Sequence, residues 1–134
     1  MNESRIARAE RRHAEATARR NDARARHGNT AGELADAETA WRAARLETMS
    51  LDDFARLGAQ VELLRREVAA AQADLKAAEQ PLRHAQHELA DVRQSLFAAR
   101  DRLDHAQRHG NAAEERAARA QLATLAGEWG YAGL

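Results

Sequence analysis

His84 with His87, and His105 with His109, are the residues whose type and spacing come nearest to chemistry. On a helix, spacings of three and four put two imidazoles on one face, where they could share a metal ion. Both pairs fall on outer positions of a long helical repeat with no further ligand near in sequence. Solvated histidines are therefore expected, and no metal is assigned. The single lysine, Lys76, belongs to no glycine-rich phosphate loop. The chain has no cysteine, and Ser4, Ser50 and Ser95 stand in no recognisable nucleophile setting. A non-enzymatic protein without a cofactor is the expectation.

Composition points to elements rather than to a reaction centre. Among 134 residues there are 34 alanines but only two Phe, two Trp and one Tyr, too few large side chains for a sizeable globular core. An alanine-rich, densely charged chain favours long helices. Twenty arginines and one lysine balance 21 acids, so net charge advertises neither a nucleic acid nor a membrane. Residues 1–27 carry eight arginines against four acids, but the acids interleave, which leaves nucleic-acid binding as a third reading. The opening MNESRIARAERR has no apolar leader, no apolar run is long enough for a membrane span, and the lack of cysteine fits a reducing compartment. A cytoplasmic location is expected.

Heptads organise the chain. From Phe54 the a position recurs as Val61, Val68, Leu75, Leu82, Leu89, Leu96 and Leu103, and the d position as Leu57, Leu64, Ala71, Ala78, Ala85, Val92, Ala99 and Ala106. The phase survives Pro81, so a kinked but continuous helix is expected there, with a break at Gln80 as the alternative. Ser50 followed by Asp53 marks the start. The first segment repeats the pattern, with Ile6, His13, Arg20, His27, Leu34, Trp41 and Thr48 at a and Ala9, Ala16, Ala23, Thr30, Ala37 and Ala44 at d.

The tetrapeptide RHGN occurs at Arg26 and again at Arg108. The first copy lies inside a seam that keeps its phase, so Gly28 and Gly32 should weaken a helix without ending it, with a local break at a Thr30–Glu33 capping box as the alternative. At the second copy the heptads run out, and Gly110 with Asn111 should end one helix and cap the next. The expected layout is one all-α coiled-coil domain: helix 3–47, turn 48–50, helix 51–107, a short helix at about 112–126, and a tail. Its core is a two-helix antiparallel hairpin with the longer helix second.

Charge supports that orientation. The first helix's g row has Arg5, Arg12, Arg19 and Arg26, facing Glu67, Asp74 and Glu88; the e rows set Glu10, Arg24 and Glu38 against Arg93, Glu79 and Arg65. A parallel homodimer fits these rows less well, so a monomeric hairpin is expected. Facing a and d positions mostly oppose a small side chain to a large one, as with Trp41 and Leu57 or Ala37 and Val61. The seam is apolar near the turn, whereas His13, Arg20 and His27 face alanines farther on and should snorkel to water, the alternative being an end that opens or binds another surface. Leu96, Phe97, Ala99, Leu103 and Ala106 extend beyond the first helix. They are either a partner site or the bed for Ala118, Leu122, Leu125 and Trp129 folding back. Trp129 and Tyr131 also read as a docking peptide or a plain tail.

An N-terminal helix rich in arginine, a turn, and a longer second helix opening in LDDFARLGAQVELLRREV (residues 51–68) resemble the central stalk family of type III secretion, flagellar and injectisome alike. The resemblance implies a rod that enters the pore of the hexameric export ATPase, promotes hexamer formation and contacts the cytoplasmic domain of the export gate; some members also handle secretion chaperones. It implies a turn end facing the gate, with Phe54 matching the family's gate-facing aromatic and Trp41 and Leu57 beside it. The terminal end, with Arg12, Arg19, Arg26, Leu96, Phe97 and Leu103, is expected to meet the ATPase. The rival reading is a generic coiled-coil scaffold or adaptor that captures a partner on the Leu96 to Ala106 stripe.

Overall fold

In a computed structural model, which describes residues 3–127, the chain forms α1 (Arg5–Ala43), α2 (Leu51–Arg108) and α3 (Ala112–Ala126), with no strand among the described residues. Every expected a and d position from Ile6 to Ala44 and from Phe54 to Ala106 is buried or half-buried. The sequence period alone thus picks out the inner face of both long helices. α2 continues through Pro81, so the expected continuity holds and the break at Gln80 does not occur. α1 likewise continues through Gly28 and Asn29, and α2 stops at Arg108, so the two RHGN copies have opposite fates.

Helix ends follow local hydrogen-bond supply. Ser4 caps α1, its Oγ accepting from the Ala7 N–H at 3.1 Å, and Ser50 caps α2 by accepting from the Asp53 N–H at 3.1 Å. Between α2 and α3 the chain turns at Gly110, whose φ of 63° is a conformation that costs a residue with a Cβ about 1–2 kcal/mol. Asn111 then caps α3, Oδ1 accepting from the Glu114 N–H at 3.1 Å.

Two expectations are corrected. The first helix ends at Ala43, not at residue 47, and residues 44–50 form the connection. The turn is closed by bonds from Ala44 N to Trp41 O (3.2 Å) and Thr48 N to Arg45 O (3.1 Å), while the Arg45 guanidinium donates to the open carbonyls of Arg42 and Ala44. The second concerns the core: the short helix expected at about 112–126 is present as α3, but it packs into a core with both long helices, so the fold is more than a two-helix hairpin.

Contacts divide the chain into two compact units, Ala18–Gln80 and the combination of Met1–Thr17 with Pro81–Leu134. Within the first, Ala37, Val61 and Leu64 form a buried cluster joined by Leu34 and Trp41. Glu38 of α1 reaches Arg65 of α2 at 3.5 Å, an e-row pair of the antiparallel register. Within the second unit, Ile6 and Ala9 from α1, Leu89, Val92, Leu96 and Ala99 from α2, and Leu125 and Ala126 from α3 share one core, with Leu122 packed against it. Arg12 meets Glu88 there at 2.8 Å, a g-row pair of the same register. Where α3 ends, Gly127 has φ 80°, a conformation that favours glycine, and a Cβ built on it would lie a tight 3.2 Å from the Ser4 Cβ.

Candidate interaction surfaces

The turn-end residues fall in the Ala18–Gln80 unit. Trp41, Phe54 and Leu57 are all half-buried rather than displayed. The Trp41 indole lies over Gly58, where a Cβ would sit 3.5 Å from Nε1, and its ring centroid is 6.3 Å from that of Phe54 at an interplanar angle of 45°. Such a tilted aromatic pair contributes about 0.5–1.5 kcal/mol beyond its area. The close approach also buries Trp41 Nε1, which has no hydrogen-bond partner among the described residues, an arrangement that costs about 1–3 kcal/mol. These rings serve chiefly to close the seam.

The exposed apolar side chains of this unit are others: Leu46 (59% exposed), Leu51 (71%) and Leu63 (55%). Sequence reasoning passed over them because it ranked residues by the a and d positions. The available signal was the mismatch itself, three large leucines on outer positions of the repeat. Arg19 and Arg26, expected at the terminal end, also lie in this unit and are exposed. Arg26 lines a cleft of about 290 Å³ with Ala23, Thr30, Glu67, Ala70, Ala71 and Asp74, the gap that the small a and d residues leave.

The remaining terminal-end residues belong to the other unit, where α3 changes their meaning. Leu96 (9% exposed), Ala99 (0%) and Ala106 (1%) are buried and Leu103 is half-buried, so the stripe is not an open partner site. It carries α3, whose Ala118 and Leu125 are buried in turn. Leu96 is thereby corrected from surface to interior, and Leu103 from displayed to half-buried. Phe97 is 65% exposed, because it follows an a position and points out of the seam. Arg12 is half-committed to Glu88 but keeps an exposed side chain. Trp129 and Tyr131 lie outside the described residues.

Polar contacts reinforce this arrangement. Arg102 of α2 donates to Gln121 at 2.8 Å and to Glu114 at 3.1 Å, two ties to α3. At the start of α1, the Arg11 guanidinium donates to both carboxylate oxygens of Glu3 and to Glu15. The hydrogen bond from Arg11 holds the Glu3 carboxyl below its ordinary range, and Glu3, with Glu15, makes the Arg11 proton harder to remove. Both groups are exposed, so these are local effects.

Among the described residues, no group of three or more His, Asp or Glu side chains converges as a metal cluster, and no helix is long and apolar enough to cross a membrane. No buried polar or charged residue occurs among them either. Comparison with protein-family models, with characterised proteins and with solved structures gave no match.

Proposed function

We propose that this chain is a non-enzymatic stalk of a type III secretion apparatus, an antiparallel coiled coil that couples the export ATPase hexamer to the export gate. The observation that carries the reading is the unbroken burial of a and d positions along both long helices. Such a pattern uses most of the large apolar side chains to hold the long helices together and leaves charged outer rows for partners. The ion pairs Arg12–Glu88 and Glu38–Arg65 favour the antiparallel orientation that the stalk family requires.

The structure changes which residues the reading assigns to partners. Toward the gate, the exposed Leu46 and Leu51 are better contacts than Trp41 or Leu57, with Phe54 half-exposed between the two roles. Toward the ATPase, exposed Arg12, Arg19, Arg26 and Phe97 are the candidates, while Leu96 and Leu103 act beneath them as the support for α3. The scaffold reading loses its proposed contact stripe to α3, and no specific observation favours it. A monomeric cytoplasmic protein, with secretion chaperones as further partners, belongs to the same proposal.

The test is ATP turnover by the export ATPase of the same organism, measured with and without the purified protein. Stimulation that reversal of Arg12, Arg19 and Arg26 to Glu removes is expected. Turnover unchanged at saturating protein overturns the reading.

A further inference from the structure

At the C-terminal end of α2 two histidine rings are brought into contact. The His109 N–H donates to the His105 carbonyl at 3.1 Å, which closes a helical turn and stacks His109 directly above His105. Their ring centroids are 4.3 Å apart with planes tilted by 44°. Two nitrogens bound in adjacent positions to one ion, each at about 2.0–2.1 Å, stand roughly 3 Å apart. Side-chain rotation alone brings rings this close to that spacing. His84 and His87 have no ring contact, although both are exposed on the same helix.

The surroundings suit an ion. Both imidazoles line an open cleft of about 470 Å³ together with Asp101, Arg102, Asn111 and Glu114. Arg102 is the cation of the cleft, and its charge is offset by Glu114 at 3.1 Å. Asp101 adds negative potential. Two histidines without a third converging ligand leave the rest of the coordination sphere to water, for which an open cleft has room.

We propose that His105 and His109 form a two-histidine site for a divalent transition-metal ion, at the corner where α2 gives way to α3. Neutral imidazole nitrogens bind first-row ions in the order that places Cu(II) above Ni(II) and Zn(II). Calcium and magnesium, which take oxygen ligands, are poorly served. The site is independent of the stalk reading and survives its failure.

The experiment is isothermal titration of the full chain with CuCl2, and separately with ZnCl2, alongside electron paramagnetic resonance of the Cu(II) complex. One ion per chain, Cu(II) held more tightly than Zn(II), and hyperfine coupling to two imidazole nitrogens are expected. H105Q and H109Q should each weaken Cu(II) binding at least tenfold, while the double variant H84Q/H87Q should leave it within twofold. Because both residues are exposed, circular dichroism should show all variants folded. Binding unchanged in H105Q/H109Q, or lost equally in H84Q/H87Q, overturns the assignment, as does the absence of imidazole coupling in the spectrum.

Discussion

Replacing glycines at the two RHGN copies should move stability in opposite directions. Gly28 and Gly32 lie inside α1, and a Cβ at either meets nothing within 4 Å, so alanine adds no clash. Glycine in a helix interior is about 0.8–1.0 kcal/mol less favourable than alanine, mainly through backbone entropy. The double variant G28A/G32A should gain about 1.5–2 kcal/mol, with modest coupling between sites one turn apart. For a chain of this size that is a rise of several degrees in Tm, at roughly 2–8 °C per kcal/mol. Gly110 is equally free of neighbours, but its φ is 63°, so G110A meets only a backbone penalty of about 1–2 kcal/mol. Asparagine tolerates that conformation better, and G110N should lose less than G110A. Urea unfolding followed by circular dichroism gives each difference, and hydrogen exchange assigns it to the unit concerned. Loss of stability in G28A/G32A, or no loss in G110A, would refute the continuous first helix and the left-handed turn respectively.

Three further outcomes follow from the packing and the ion pairs. Leu125 is 3% exposed in the core shared by three helix segments, so L125A should cost about 2–5 kcal/mol and raise exchange at amides 96–106; an effect below about 0.5 kcal/mol would mean that α3 does not cover the stripe. A double-mutant cycle on Arg12 and Glu88, whose side chains are 51% and 27% exposed, should give a coupling of only about 0.2–1 kcal/mol that fades with salt, and zero coupling at low salt would remove the pair from the register. The Glu3 carboxyl should titrate below its ordinary 4.5 by NMR, because Arg11 donates to its ionised form. A depressed acid stabilises the fold above its unfolded pKa, and that contribution disappears as pH falls through the folded value. R11A should return Glu3 toward 4.5; a midpoint in the native protein at or above 4.5 would contradict the contact.

The long-range pattern was legible in the sequence because it repeats. Eight heptads from Phe54 agree on one face, so a single atypical residue such as Pro81 or Ala71 does not disturb the reading, and the same redundancy identified the two fates of RHGN. Short elements lacked that redundancy. α3 offers only Ala118, Leu122 and Leu125, and whether they fold back onto α2 depends on a turn at Gly110 whose direction no periodicity encodes. The early end of α1 was hidden for a similar reason. Residues 44–50 contain neither Gly nor Pro to mark the stop, and the open carbonyls there are met by the Arg45 side chain, a contact that no pattern announces.

The candidate contacts were less legible than the fold. Heptad logic ranks residues by how well they bury, so it nominated Trp41, Leu57, Leu96 and Leu103, of which Leu96 is buried and the others half-buried. The large apolar residues that break the pattern, Leu46, Leu51 and Leu63, are the exposed ones, together with Phe97, which the sequence did single out. His105 and His109 illustrate the same limit. Their spacing was visible, but the ring contact and the cleft come from the helix end and from α3 beyond it.

The most direct test of the stalk assignment is sedimentation of the export ATPase from the same organism, mixed with this protein at a ratio of one chain to six. The account predicts a hexamer-sized species that carries the protein with it and forms at lower ATPase concentration than without it. Separate boundaries for the two proteins, with the ATPase distribution unchanged, would contradict it.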